Sequence, residues 1–374
     1  MVWDVFCKVI DNYGDLGVCL RLCCNLANQG EQLRLWVDDP SALTWMAPQV
    51  DSAQLQVIPW GTDAETQPHK ASASAWPEPG DVVIEAFGCD LPPEFVDRMA
   101  QRNRTHPVAW INLEYLTAEP YAEDCHGLPS PVFHGPGMGL TKHFFYPGFT
   151  PHTGGLLREP DLSIRQAQFN RNAWLTKVGV TSQPKQNVRY VSLFCYEPST
   201  LPALLTQLVH GPERTHLLVT AGRATEAVKT AIHTQNVLRS NTDNYGQLSI
   251  SYLPTLSQQD FDHLLWACDL NFVRGEDSLV RAIWAGKPFV WHIYPQDDDA
   301  HHSKLHALLD MLDASSTVRT WHRIWNGLND DALPTLDALL EDNTHLHARA
   351  RLQQQTDLCT QLRTFVAKQR SKSR

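Results

Sequence analysis

The sequence predicts an α/β protein made of two doubly wound, Rossmann-like domains facing a cleft. Three observations carry that expectation. The chain opens strand, loop, helix, strand, which is the pattern of a βαβ unit. A second, more regular strand–helix alternation begins near Asn187. Between them, after Thr150, the pattern weakens into PHTGGLLREPD and then a polar helical segment. The expected organisation is a first domain over residues 1–155, a linker region over 156–186, a second domain over 187–345 and a helical tail over 346–374. The tail is long enough to pack back on the first domain.

The run VWDVFCKVI, from Val2 to Ile10, is β-rich, and the loop DNYGDLG follows it. VCLRLCCNLANQ then carries apolar residues at helical spacing, with Gly30 placed as a C-terminal cap and LRLWVDD as the next strand. DVVIEAF (Asp81 to Phe87) and PVAWINLEYL (Pro107 to Leu116) predict further strands. In the second half the strands are NVRYVSLFCY, HLLVTAG, QLSISYLP, CDLNFVRG and KPFVWHIY. Helices fall between them, around Leu201 to Val209, from Ala224, over SQQDFDHLLWA and over DSLVRAIWAG. Such regular alternation implies parallel sheets covered on both faces.

The chain has 374 residues, of which 43% are hydrophobic and 19% charged, enough for two domains with their own cores. A formal net charge of −10 argues against general nucleic-acid binding, which depends on neutralising phosphates. It suits a neutral or basic partner. The start has neither a basic leader nor a cleavage site, so no secretory signal is expected. No apolar stretch approaches the roughly 20 residues of a membrane span. The nine cysteines contain no CxxC pair. Cys19, Cys23 and Cys24 sit together on one predicted helix, where small buried residues explain them better than a zinc site with paired ligands. A reduced, cytoplasmic protein without membrane contact is the expectation.

Doubly wound sheets bind ligands outside the carboxyl ends of their strands. Two such domains match the GT-B plan of glycosyltransferases, with the acceptor on the first and the nucleotide-sugar on the second. Two constellations lie where that plan puts chemistry. In the first, Asp11 to Gly17, the loop lacks the spacing of either common phosphate-binding glycine motif. Its glycines permit close backbone approach, and the helix behind offers free N–H groups. Asn12, Tyr13, Gly14 and Gly17 are therefore candidates for contacts to the nucleotide-sugar. Asp11 and Asp15, four apart, are able to accept a proton or orient a cationic acceptor; one of them alone would read as a helix cap.

The second constellation is RGEDS, Arg274 to Ser278, where a strand gives way to a helix. Arg274, Ser278 and the first amides of the helix suit phosphate oxygens. Glu276 and Asp277 suit ribose or sugar hydroxyls. A capped helix would explain Asp277 and Ser278 but not Arg274 and Glu276. Tyr294 follows the next strand and should reach the same place. The run Asp297, Asp298, Asp299 invites a metal reading. A helix start and an arginine neutralise a diphosphate without one, and the run also suits a helix start, so no metal is expected.

The segments DNYGDLGV, INLEYLTAE, FFYPGFTPHTGGLLRE and DFDHLLWACDLNFVRGEDSLVRAIWAGKPFVWHIYPQ resemble the EarP-type protein-arginine rhamnosyltransferases, which modify elongation factor P. The resemblance spans nearly the whole chain. It implies a GT-B fold and an inverting transfer of L-rhamnose from dTDP-β-L-rhamnose to one loop-tip arginine of that factor, with no cofactor and no metal. It also implies that Asp11 and Asp15 are the catalytic pair, with Asp15 the general base, and that Arg274, Glu276, Asp277 and Ser278 hold the donor. Phe194 and Tyr294 become candidates for nucleotide contacts, Phe194 or Tyr252 for the face of thymine, and Gln258 for its edge. The chemistry is consistent with this. A guanidinium with a pKa above ~12 is a poor nucleophile unless carboxylates hold and polarise it and one accepts a proton as the N–C bond forms. The rival readings are a nucleotide-sugar enzyme with another acceptor, an epimerase, and a non-catalytic nucleotide-sugar-binding module.

Overall fold

Strand β1 (Val2–Cys7) sends Trp3, Val5 and Cys7 to one core and Phe6 to another. A strand buried on both faces reads as an unbroken apolar run, and only Asp4 interrupts it. Asp4 is fully buried, but its carboxylate accepts from Arg34 Nε and Nη2 at 2.6 and 2.7 Å, from Trp36 Nε1 at 2.8 Å and from the Gly80 amide at 2.6 Å. A buried charge so fully bonded fixes the strands around it. A Cβ at Gly80 would stand 2.5 Å from the Val2 carbonyl oxygen, so only glycine fits there.

The computed structural model describes residues 1–10, 13–48, 53–61, 76–180, 188–234, 244–295 and 300–372. The chain divides into two units, Met1–Glu159 with Gln355–Arg374, and Pro160–Gln354. After β1 the first unit runs α1 (Gly14–Asn28), β2 (Gln32–Val37), α2 (Leu43–Met46), β3 (Leu55–Pro59), β4 (Val82–Ala86), α3 (Pro93–Asn103) and β5 (Ala109–Leu113). It continues with α4 (Tyr121–Cys125), β6 (Pro129–Pro131) and β7 (Thr141–Phe145). Its sheet has the order β3-β2-β1-β4-β5-β7-β6. The chain winds outward from β1 in one direction and restarts at β4 in the other, so the switch point lies between β1 and β4.

The second unit runs α5 (Leu162–Ala167), α6 (Arg171–Lys177), β8 (Arg189–Leu193), α7 (Leu201–His210), β9 (Thr215–Val219), α8 (Arg223–Thr234), β10 (Asn244–Tyr245), β11 (Leu248–Tyr252), α9 (Gln258–Ala267), β12 (Leu270–Arg274) and α10 (Glu276–Ala285). β13 (Phe289–His292), α11 (Ala300–Met311), α12 (Ser316–Trp325), α13 (Leu336–Leu340) and α14 (Thr344–Gln353) complete it. The sheet order is β10-β11-β9-β8-β12-β13, with its switch point between β8 and β12. The last helix, α15 (Leu358–Lys372), belongs to the first unit. There Leu358, Cys359, Leu362 and Val366 enter the core that holds Trp3 and Val5. Arg363 and the amino terminus both pair with Glu31, at 3.1 and 3.0 Å.

Three expectations need correction. The sheets are not wholly parallel: β6 and β10 pair antiparallel at their edges. β6 is Pro-Ser-Pro, and prolines, which cannot donate to a ladder, are tolerated at an edge. The segment read as linker is folded as far as it is described. Trp174 and Leu175 of α6 are buried against Leu218 and Leu264, and the Trp174 indole donates to Asp260 at 3.0 Å. The tail divides after Gln354 rather than at residue 346, so α14 stays with the second unit.

His322 on α12 stands in for a strand at the β13 edge. Its Nε2 accepts from the Trp291 amide at 3.1 Å, which leaves Nδ1 to donate to the Val318 carbonyl at 2.9 Å. Asn326, one turn on, accepts from the Ile293 amide at 2.9 Å and donates to the Trp291 carbonyl at 2.8 Å. Burial pushes the His322 imidazole down to about 4, and burial first among its causes pushes His292 down to about 3. The unfolded chain takes up these protons as the pH falls through ~6.5, whereas the folded chain does not. The stability linked to them is therefore complete above ~6.5 and is lost toward pH 4. At pH 5 each histidine should cost about 2 kcal/mol. Thermal unfolding is expected to move to lower temperature from pH 7 to pH 5, with a flatter dependence in His322→Asn. The same midpoint at both pH values would refute it.

Candidate functional site

The carboxyl end of β12 meets the start of α10 at Gly275, whose φ of 73° and ψ of 174° suit glycine alone. Gly275 is the N-cap of α10 and, lacking a side chain, makes no side-chain cap hydrogen bond. Ser278 is buried in that first turn. Glu276, the first residue of α10, pairs with Lys304 from α11. The Trp291 indole donates to the Gly275 carbonyl at 2.9 Å and fixes the turn from the β13 side.

Arg274, the last residue of β12, lies against two rings: its Cζ is 4.7 Å from the centre of Phe194 and 4.6 Å from that of Tyr196. Both rings follow β8, the strand across the switch point. Stacking on aromatic faces holds a guanidinium in place and leaves its edge for an anion. Nη1 of Arg274 is buried and has no hydrogen-bond partner among the described residues. Burial lowers the pKa of the group, and the charge of Arg223 lowers it further. Tyr294 packs edge-on to Tyr196 at 5.3 Å. Phe194, Tyr196, Arg274, Glu276, Ser278 and Tyr294 thus gather at one end of one sheet.

Tyr252 and Gln258 lie at the same end of that sheet but further out. Tyr252 closes β11, which is two strands from β8, and Gln258 opens α9. Adjacent strands are about 4.8 Å apart, so Tyr252 stands roughly 10 Å from the strand that carries Phe194. Both are half-buried.

In the first unit, Asp15 lies in the first turn of α1, half-buried, and the Tyr115 hydroxyl donates to its Oδ2 at 3.1 Å. Tyr115 follows β5 and stacks on Phe87 with ring centres 4.8 Å apart. Phe87, directly after β4, has φ of 58°. The left-handed region costs an aromatic residue about 1–3 kcal/mol, and such strain collects at functional sites. The group sits at the carboxyl ends of β4 and β5 and the start of α1, beside the switch point. Tyr13 is exposed and packs edge-on to Trp45 at 5.9 Å; Gly14 begins the helix. Gly17, expected among the donor contacts because glycine allows close backbone approach, is inside α1, where its N–H donates to the Tyr13 carbonyl at 2.9 Å. Asp11, Asn12 and the run Asp297, Asp298, Asp299 lie outside the described residues.

Tyr196, Arg223, Lys304, Tyr115 and Phe87 stand at these places without belonging to either sequence motif. Tyr196 had a local signal, being two residues past Phe194 in the same strand-end segment.

With this geometry in hand, similarity decides the family. The family model described as Elongation-Factor P (EF-P) rhamnosyltransferase EarP matches residues 3–367. The chain belongs to the EarP family. It is similar to the protein-arginine rhamnosyltransferase of Pseudomonas putida, 44% identical over 338 residues and covering 87% of this chain and 86% of that one. The Shewanella oneidensis protein-arginine rhamnosyltransferase is 36% identical and covers 98% of both chains. Among solved structures, one that gives the basis of EarP-mediated arginine glycosylation of translation elongation factor EF-P has a TM-score of 0.64 and 29% identity. It covers 98% of this chain and 99% of its own. Anabaena HepE, solved with UDP and glucose, has a TM-score of 0.50 at 13% identity over 99% of this chain and 100% of its own, a likeness of fold alone. This EarP-family chain is a glycosyltransferase of GT-B fold, a protein-arginine rhamnosyltransferase. Among the described residues no helix is long and apolar enough to cross a membrane.

Proposed function

We propose that this EarP-family chain moves L-rhamnose from dTDP-β-L-rhamnose to a loop-tip arginine of elongation factor P, with inversion at the anomeric carbon. The observation that carries the donor half is Arg274, a guanidinium wedged between two rings beside the start of α10, with a buried Nη1 that has no partner among the described residues. That arrangement suits the diphosphate of a nucleotide-sugar, and the names of the relatives support rhamnose and arginine.

Asp15 is the base in this reading. A guanidinium nitrogen of the acceptor attacks the anomeric carbon, the carbon–oxygen bond to dTDP breaks, and the proton lost by that nitrogen goes to Asp15. Tyr115 aims the carboxylate, which itself remains an acceptor. The charge left on dTDP is met by Arg274, Ser278 and the first amides of α10, so the reaction needs no metal. Asp11 joins Asp15 in holding the planar acceptor group. The nine cysteines are all free thiols, which suits the cytoplasm, where elongation factor P would be met.

Intact-mass analysis of elongation factor P after incubation with this protein and dTDP-L-rhamnose tests the reading. The expected result is a gain of one deoxyhexose, mapped to a single arginine and unchanged by EDTA. No gain, while dTDP still stabilises the protein, would remove the acceptor assignment. A gain abolished by EDTA and restored by a divalent cation would remove the metal-free mechanism.

A further inference from the structure

Arg223 opens α8 directly after Gly222, whose φ of 85° turns the chain sharply from β9. β9 is the neighbour of β8, and β8 that of β12, so Arg223 rises at the same end of the sheet as Arg274. Its Cζ lies 4.8 Å from the centre of the Tyr196 ring, the ring that Arg274 approaches to 4.6 Å. Two guanidinium groups therefore share one tyrosine.

The balance of charge around that ring is positive. Glu197 takes a forked contact from Arg223, with Nε to Oε1 at 2.8 Å. Glu276 is engaged by Lys304. His292 is buried, and its Nδ1 accepts from the Tyr196 amide at 3.3 Å, which requires that nitrogen to be unprotonated. Among the described residues, Glu197 thus faces two guanidiniums, and Arg274 has a buried Nη1 with no partner there. An anion placed between Arg274 and Arg223 relieves that repulsion.

We propose that Arg223 is a second ligand of the donor's diphosphate, held ready by Glu197, reaching Tyr196 from β9 as Arg274 does from β12, the two strands that flank β8. This rests on the donor site assigned above. The Arg223 and Glu197 side chains are 46% and 53% exposed. An ion pair so open to water contributes little to stability, so exchanging its carboxylate for a phosphate oxygen costs little. The planar fork that grips Glu197 serves a phosphate equally well. Tyr196 acts as the common platform, and burial raises its phenol so that it keeps its proton at neutral pH.

Calorimetric titration of dTDP into Arg223→Gln, Arg223→Lys, Glu197→Gln and Arg274→Ala tests the assignment. Arg223→Gln is expected to bind dTDP about tenfold more weakly or worse, and Arg223→Lys to fall between it and the unaltered protein. Glu197→Gln should bind dTDP as tightly or more tightly, because it removes a competing negative charge. A merely structural pair predicts instead that Arg223→Gln and Glu197→Gln lose affinity equally, and that result would overturn the proposal. So would unchanged affinity in Arg223→Gln while Arg274→Ala is impaired. Unchanged affinity in Arg274→Ala as well would show that the donor site itself lies elsewhere.

Discussion

Asp15→Asn is expected to slow arginine modification by about a thousandfold while leaving dTDP affinity within twofold of the unaltered protein. The replacement keeps the shape of the side chain and still accepts from the Tyr115 hydroxyl that now bonds Oδ2 at 3.1 Å. What it loses is the ability to take a proton. An arginine nitrogen that attacks carbon must shed a proton in the same event, and water is a poor base for a group with a pKa above ~12. Asp15 lies in the first unit, whereas Arg274, Ser278 and Tyr196 belong to the second, each unit with its own sheet. Donor binding and proton acceptance should therefore separate. Single-turnover modification of elongation factor P, with dTDP titration of the same variant, checks both. A rate within tenfold of the unaltered protein would leave Asp15 without a chemical role. A protein that only senses the nucleotide-sugar would be indifferent to the substitution.

The parts of the fold legible in the sequence are those whose signal is local. β1, α1 and β2, and the alternation from β8 to β13, read clearly because strands buried on both faces are apolar runs closed by glycine or charge. The edges did not. β6 is a three-residue proline-bounded strand and β10 has two residues, too short for any period to show. α6 reads as linker because Trp174 and Leu175 are flanked by polar residues, and nothing local says that Leu218 and Leu264 share their core. The proposed donor motif is legible for the same reason as the strands. Arg274, Gly275, Glu276 and Ser278 are consecutive or nearly so, and an arginine beside a helix start is a pattern that suits an anion. Arg223, Tyr196 and Lys304 reach that place from β9, β8 and α11. Their meeting is set by the strand order β9-β8-β12, which arises from long-range pairing rather than from spacing along the chain. Tyr115 likewise reaches Asp15 across 100 positions.

Arg274→Met is expected to change the stability of the donor-free protein little while removing most of its affinity for dTDP. Two opposing effects act on the arginine before any donor arrives. Its contacts with Phe194 and Tyr196 are favourable by about 1–2 kcal/mol each where water is largely excluded. Against them, a buried donor nitrogen with no partner among the described residues costs about 1–3 kcal/mol, and the neighbouring charge of Arg223 adds repulsion. Methionine keeps apolar contact with both rings and removes the unpaired nitrogen together with the charge, so gain and loss nearly cancel. The donor restores the missing partner. A charge-assisted hydrogen bond to phosphate contributes about 1.5–3 kcal/mol, so its loss should weaken dTDP roughly 10- to 100-fold. Ser278→Ala should weaken it less, since the backbone amides of α10 remain. Thermal unfolding with and without dTDP reads both effects at once: the midpoint of Arg274→Met without ligand should lie close to that of the unaltered protein, and the upward shift with dTDP should largely vanish. A large drop in the ligand-free midpoint would make Arg274 a structural residue of the β8–β12 junction. A full dTDP shift in both Arg274→Met and Ser278→Ala would move the phosphates away from α10.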